Sequence, residues 1–156
     1  MHAKIFQIGT NSISEEEYVQ PKLFCESSYC FAEYVGDIIT GQAREESIKS
    51  MVYTLGIFDY DCTGLVYKGS DLFVKDWSNE IKNKAKSIDW SSNNYNLELL
   101  EMSRLLHETH KQSTSRFFIE EWNGWAGPAS DIIDFVRKHL QIGDKLYIGA
   151  VIDYHY

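Results

Sequence analysis

The 156-residue chain has little of what cross-links a protein or anchors it in a membrane. It contains three cysteines, Cys25, Cys30 and Cys62, with no Cys-x2-Cys spacing among them. This odd number argues against a disulfide framework and a zinc knuckle, so we expect all three to be small buried apolar residues. No apolar run reaches the roughly 18 residues of a membrane span, and the N-terminus lacks the pattern of a secretory leader. The sequence therefore predicts a cytoplasmic protein without a membrane segment.

The chain also lacks the short motifs of common catalytic and cofactor sites. There is no GxSxG elbow, no GxxxxGK[ST] phosphate loop and no GxGxxG turn, and no cofactor is predicted. Basic residues are few, with 15 Lys and Arg against 23 Asp and Glu and a formal net charge of −8. Nonspecific binding to nucleic acid needs basic groups that displace counterions from phosphate. The composition therefore argues against a direct nucleic-acid partner.

Negative charge is concentrated in the N-terminal part of the chain. Residues 1–62 carry ten acidic and four basic side chains, a net −6, whereas residues 63–90 carry a net +1 and residues 91–156 a net −3. An acidic surface complements a basic partner and accelerates their encounter, although a solvated face has the same composition. We predict another protein with a basic surface as the partner. The acidic residues proposed to bind it are Glu15, Glu16, Glu17, Asp37, Glu45 and Glu46.

Hydrophobic periodicity predicts alternating strands and helices in a single domain over residues 1–156. Ser14 and Glu17 have capping-box spacing, which predicts a short helical turn before Pro21. Strand patterns cover residues 4–9, 116–122 and 145–154, and helix patterns cover 29–35, 41–55, 78–88, 96–111 and 128–140, with Pro128 at the first helical position of the last one. Residues 65–68 and 72–75 are predicted to form a hairpin, and the turn-like residues 61–64 allow a further strand near Ile57, which would make a three-strand meander. The predicted fold class is α+β: a single mostly antiparallel sheet with N- and C-terminal strands, covered by about four to six helices.

The last strand pattern, Lys145–Tyr154, is apolar on both of its faces. Such a strand is usually central in its sheet, because both faces are covered. Gly149 within it predicts a β-bulge or a close approach of another group to the backbone.

Two tryptophans, Trp122 and Trp125, lie three residues apart in a glycine-containing loop. They can form a stacking platform or interface anchor, or both indoles can fold back onto the core. The sequence does not choose between these two interpretations, and both residues are kept as binding candidates.

Two residue pairs support an alternative function, a small hydrolase. Asp59 and Asp61 project on the same side of a strand, as paired catalytic acids do, although solvated acids before a turn fit equally well. His107 and His110 are three residues apart instead of the four of the zinc helix motif, and no third ligand is marked nearby, so no metal is predicted. Because neither pair is complete, we favour a noncatalytic acidic protein-binding module, inhibitor- or immunity-like, whose surface can also imitate nucleic acid.

Overall fold

The structure, a computed structural model, describes residues 2–25, 32–69, 71–88, 97, 99–100, 114–122 and 125–155. The chain divides into two compact units, one formed by Met1–Gly69 with Ser113–Tyr156 and the other by Ser70–Gln112. The first unit contains the sheet, and the second contains a long helix. The single domain expected over residues 1–156 stays a prediction.

The described residues form seven strands and four helices, with one additional 3-10 turn at Glu15–Glu17. The strands are β1 (His2–Gly9), β2 (Tyr34–Ile38), β3 (Phe58–Tyr60), β4 (Leu65–Tyr67), β5 (Arg116–Ile119), β6 (Ala126–Gly127) and β7 (Lys145–His155). The helices are α1 (Lys22–Cys25), α2 (Gly41–Leu55), α3 (Asp71–Ser87) and α4 (Ala129–His139).

The strands form one sheet in the order β3-β4-β7-β1-β5-β6, with β2 also paired to β7. The β1–β5 pair is parallel, and the other described pairs are antiparallel. The α+β class and the mostly antiparallel sheet are thus confirmed. No helix in the described part of the chain combines the length and the apolar character that crossing a membrane requires.

The N- and C-terminal strands lie side by side in the middle of the sheet. In β7, Val151 and Ile152 point to opposite faces, and both are fully buried. In β1, Ile5 and Phe6 show the same alternation with the same burial. Both faces of the central strands are therefore covered, as the apolar pattern of β7 predicts.

A β-bulge interrupts the pairing of these two strands at Gly149. The register changes between Phe6 and Ile8 of β1, so that Gln7 alone faces Gly149 and Ala150. A Cβ atom built on Gly149 would overlap the Gln7 side chain, which explains why glycine is required there. The bulge and the close approach predicted for Gly149 are both present.

Several local predictions also agree with the structure. Helix α2 covers Gly41–Leu55 and buries Ile48, Met51 and Leu55. Gly56 ends it with φ = 65°, a left-handed conformation in which its N–H bonds the Val52 carbonyl. Helix α4 covers Ala129–His139, so that Pro128 is its N-cap residue instead of its first helical residue.

Two predicted elements are wrong. The hairpin over residues 65–75 does not form, because β4 pairs instead with β3 and with the start of β7, and residues 71–87 are helical. Positions 73, 77, 81 and 85 share one helical stripe, so the apolar residues before Ser78 extend α3 at its N-terminal end. The helix expected over residues 29–35 is also absent where it can be seen, since Tyr34 and Val35 belong to β2.

The remaining differences concern the ends of elements. Strand β5 stops at Ile119 and a turn follows, while Ala126 and Gly127 form β6 where a loop was expected. The helix predicted over residues 96–111 lies largely outside the described residues, although Leu97, Leu99 and Leu100 are helical.

Candidate functional site

The parallel β1–β5 pair brings two distant acidic residues to the end of β1. Ile8 is paired with Ile119, and the N–H of Glu120 continues the ladder by donating to the Ile8 carbonyl at 2.9 Å. Because β1 and β5 run in the same direction, the segments that follow them leave the sheet at the same end of the strands. Glu120 and Glu121 therefore lie beside Gly9 and the loop that follows β1.

Glu121 is tied to that loop by two hydrogen bonds. Its Oε1 accepts from the backbone N–H of Thr10 at 2.8 Å and from the Thr10 hydroxyl at 2.5 Å. A Cβ added at Gly9 would lie 3.2 Å from Cγ of Glu120 and 3.3 Å from Cδ1 of Ile13, so these side chains would have to shift by a few tenths of an ångström. The carboxylates and the loop are thus held close together.

Gln7 attaches the 3-10 turn to the same place. It is 1% exposed, and its amide uses both donors and both lone pairs. Nε2 donates to the Glu17 carbonyl at 2.9 Å and to Oε1 of Glu120 at 2.5 Å. Oε1 accepts from the N–H groups of Val19 at 3.0 Å and Ala150 at 2.8 Å. One buried side chain therefore connects the turn, the bulge in β7 and the end of β5.

Glu17 closes the third side of the site through the predicted capping interaction. Its Oε2 accepts hydrogen bonds of 2.8 Å from both the N–H and the hydroxyl of Ser14. The backbone hydrogen bond from Ser14, reinforced by that from its hydroxyl, lowers the pKa of the Glu17 carboxyl. Glu17 is therefore an ionised carboxylate at neutral pH.

These residues enclose a pocket of about 180 Å³. Its lining contains three carboxylates and no basic side chain, and consists of Gly9, Asn11, Ser12, Ile13, Glu17, Glu120 and Glu121. One oxygen of each carboxylate is bound to the chain itself, whereas the second oxygen accepts no hydrogen bond from any described residue. Chemically, the pocket can accept hydrogen bonds from a cationic group.

The other predicted acidic residues lie on different elements. Asp37 is exposed in β2, and Glu45 and Glu46 are exposed on α2. Glu45 forms an ion pair with Lys49 at 2.7 Å, and Glu46 accepts a 2.7 Å hydrogen bond from Gln42. Of the predicted acidic residues, Glu17 alone lines the pocket, while Glu15 and Glu16 are exposed beside it in the same turn.

The structure separates the roles of the two tryptophans. Trp122 packs edge-on against Phe135 of α4, with 5.6 Å between ring centroids. Trp125 is 44% exposed, and its indole N–H donates to Asp131 at 3.2 Å. Trp122 is therefore a packing residue, and Trp125 retains an exposed face.

Asp59 and Asp61 each form an ion pair with a lysine. Asp59 forms an ion pair with Lys68 at 3.2 Å. Asp61 accepts from Lys145 at 2.8 Å and from the N–H and hydroxyl of Thr63, and these bonds, that of Lys145 first, hold its pKa well below the usual value. Asp59 thus lies in β3 and Asp61 just after it, each paired with a different lysine, and the hydrolase alternative stays a prediction.

The remaining candidates for chemistry are the histidine pair and the cysteines. His107 and His110 lie outside the described residues. In the described ranges no group of three or more His, Cys, Asp or Glu side chains is arranged to hold a metal ion. Cys25 and Cys62 are exposed, so the expectation that they are buried was wrong; Cys62 lies in the turn between β3 and β4, where side chains face solvent, and Cys30 lies outside the described residues.

The sequence interpretation missed Gln7, Glu120 and Glu121. A single polar residue within an otherwise apolar strand was the available signal for Gln7. For the two glutamates, the available signal was a pair of adjacent carboxylates near the end of the strand predicted over residues 116–122. Their pairing with the end of β1 depends on strand order, which the pattern does not contain.

Comparisons of this chain with protein-family models, with curated proteins and with solved structures found no match.

Proposed function

We propose that this chain is a noncatalytic acidic protein-binding module, inhibitor- or immunity-like, which captures a basic partner by receiving one lysine or arginine side chain in the carboxylate pocket. The observation that supports this proposal is the convergence of Glu17, Glu120 and Glu121 on a pocket whose lining contains no basic residue. The basic partner would supply the positive charge that the lining of the pocket does not contain.

The chemistry of the pocket matches a basic side chain. A guanidinium has five N–H donors and an ammonium has three, and neither group accepts hydrogen bonds. Hydrogen bonds between such a cation and a carboxylate are about twice as strong as those between neutral groups. The volume of about 180 Å³ is below the roughly 300–1,000 Å³ of small-molecule sites, which favours a single side chain over a cofactor.

The surroundings of the pocket favour a charged protein partner. Glu15 and Glu16 are exposed beside it, and charges at the rim of an interface mainly increase the association rate. The same surface can imitate the phosphate backbone of a nucleic acid toward a nucleic-acid-binding protein. A cytoplasmic location, consistent with the odd number of cysteines, is part of this proposal.

Titration of the full chain with three short peptides tests the pocket. The peptides differ at one position, which is arginine, lysine or glutamate, and binding is followed through the amide NMR signals of Gly9, Asn11 and Ser12. We expect shifts with the arginine and lysine peptides and none with the glutamate peptide. The double variant Glu120→Gln/Glu121→Gln should lose most of the effect, because it removes two charges while keeping oxygen acceptors for Gln7 and Thr10.

Glu80→Gln is the matched control, since Glu80 is exposed on α3 in the other unit. It should bind like the wild type. Shifts that leave Gly9, Asn11 and Ser12 unmoved, or an equal response to the glutamate peptide, would contradict the proposal. With an identified partner, replacement of Glu15, Glu16 and Glu17 by lysine should slow association and remove its salt dependence.

A further inference from the structure

Helix α2 contacts the β-bulge from the edge of β7 that faces away from β1. On this edge β4 pairs with the start of β7 and β2 with its end, and neither strand pairs with residues 148–149. There, Nη2 of Arg44 donates to the carbonyls of Ile148 at 2.8 Å and Gly149 at 2.9 Å. One nitrogen reaches two successive carbonyls because the bulge interrupts the alternation of the strand. Arg44 therefore takes the place of a pairing strand at the bulge.

Arg44 and Gln7 bind the two sides of the same peptide group. The Gly149 carbonyl accepts from Arg44, and the N–H of the Gly149–Ala150 peptide donates to Oε1 of Gln7 at 2.8 Å. Nε2 of Gln7 donates in turn to Oε1 of Glu120 at 2.5 Å. A series of hydrogen bonds thus runs from a cation on α2, through the strand and one buried amide, to a carboxylate of the pocket.

The dipoles in this series all point the same way. The peptide has its negative oxygen at the guanidinium and its N–H at Gln7, and the Gln7 amide has its NH2 group at the carboxylate. In such a series each hydrogen bond polarises the next one and strengthens it. The opposite orientation of the Gln7 amide would place its oxygen against Glu120 and its NH2 group against two backbone N–H groups. The network therefore permits one orientation of Gln7.

The charge of Arg44 has no counter-charge in direct contact. Its Nε atom is buried without a hydrogen-bond partner, and no carboxylate among the described residues forms an ion pair with it. Removing a charged group from water is costly unless negative charge compensates it. The two carbonyl oxygens supply partial negative charge, and Glu120 supplies a full one at the far end of the series.

We propose that Arg44 is a positioning residue for the carboxylate pocket. Through the Gly149–Ala150 peptide and the Gln7 amide, it holds the Glu120 carboxylate in the orientation that leaves its second oxygen for a ligand. The importance of this orientation for capturing a basic side chain rests on the proposed function. Because Arg44 is not part of the pocket lining, α2 can regulate the pocket from the opposite edge of β7.

A double-mutant cycle on the free protein tests the connection between Arg44 and Glu120. Urea unfolding is compared for wild type, Arg44→Gln, Glu120→Gln and the double variant. Distant residues that are not coupled have additive effects, so the loss of stability in the double variant should be smaller than the sum of the single losses. Glu121→Gln is the matched control, because Glu121 lines the same pocket but bonds Thr10 instead of Gln7. Its effect should add to that of Arg44→Gln, and equal behaviour of the two glutamates would overturn the proposal.

Binding of the arginine peptide, followed through the amide signals of Gly9, Asn11 and Ser12, tests the effect on the pocket. Arg44→Gln should lower the affinity by about two- to thirty-fold. Arg44→Lys, which keeps the charge and a donor, should restore most of it. If Arg44 acted only through its charge, its removal would make the protein more negative and strengthen the binding of a cation. Unchanged or higher affinity in Arg44→Gln would therefore overturn the proposal.

The two measurements separate this proposal from the proposed function. A wild type that does not bind the arginine peptide contradicts the proposed function, while the cycle still decides whether Arg44 acts on Glu120. Where Arg44→Gln fails to fold by circular dichroism, the guanidinium NMR signal of Arg44 is compared in the two glutamate variants instead. It should shift in Glu120→Gln and stay in place in Glu121→Gln. An unshifted signal in Glu120→Gln would overturn the proposal.

Discussion

Replacing Gln7 by glutamate is expected to make the stability of the protein strongly dependent on pH. The substitution keeps the size of the side chain and the oxygen that accepts from Val19 and Ala150. It removes the two N–H donors that now bond the Glu17 carbonyl and the Glu120 carboxylate. An ionised glutamate at this position would place a buried negative charge directly against a second carboxylate.

The expected cost follows from the burial of the site. Gln7 is 1% exposed, and an uncompensated buried charge typically costs about 3–5 kcal/mol. That is a large fraction of the roughly 5–15 kcal/mol by which a domain is stable. Burial and the Glu120 charge both raise the pKa of the introduced carboxyl in the folded state above its unfolded value of about 4.3. The penalty is therefore absent below about pH 4.3, grows as the pH rises toward the folded-state pKa, and is complete above it.

Urea unfolding of wild type and Gln7→Glu, followed by circular dichroism between pH 4 and pH 8, measures this difference. Gln7→Met is the control, because it cannot ionise. It leaves the N–H groups of Val19 and Ala150 unpaired, at about 1–3 kcal/mol each, and this loss should not vary with pH. If the difference between Gln7→Glu and wild type is constant across the range, the reasoning about a buried, carboxylate-facing site is refuted.

Two further predictions concern the central strand and the β3–β4 turn. Deleting residues 151–156 removes the buried side chains of Val151, Ile152 and Tyr154, worth together about 4–9 kcal/mol, so the truncated chain should be insoluble or lack a cooperative melt; a soluble product melting near the full-length temperature would contradict this. Asp61→Asn should be less stable than wild type at neutral pH, because the folded-state pKa of Asp61 is lowered and its ionised form is the stabilised one. That difference should begin to shrink as the pH falls below the ordinary aspartate pKa of about 3.9 and continue to shrink toward the lowered folded-state pKa, and a thermal melting series in which it stays constant would show that charge is not its origin.

Elements whose signals are local were predictable from the sequence. Helix α2 ends at Gly56 because a glycine there adopts a left-handed conformation that other residues avoid. Strand β7 is central because its residues are apolar on both faces, and a position with one face uncovered would leave apolar side chains in water. Gly149 was a signal for the bulge because a glycine inside a strand pattern is typical of a bulge or a close approach, although the residue that approaches it, Gln7, is distant in the chain. In each case the period or the backbone preference of neighbouring residues carries the information.

Elements that depend on a distant partner were not predictable. Tyr34–Ile38 forms a strand because β7 supplies its hydrogen-bonding edge, although its own pattern also fits a helix. Leu65–Tyr67 pairs across a short turn with β3, which the meander allowed, but its other edge pairs with the distant start of β7 instead of with the residues that begin α3. Short apolar runs fit either conformation, and long-range pairing decides between them.

The candidate site shows the same division. Glu17 and its capping box were evident from spacing alone, because a 3-10 turn forms among neighbouring residues. Glu120 and Glu121 join it through the parallel register of Ile8 with Ile119, and Gln7 holds them there from a buried position. The sequence by itself determined the acidic charge and the elements that carry it. The tertiary structure decided which carboxylates meet, because strand order depends on contacts between residues far apart in the chain, and no local pattern encodes them.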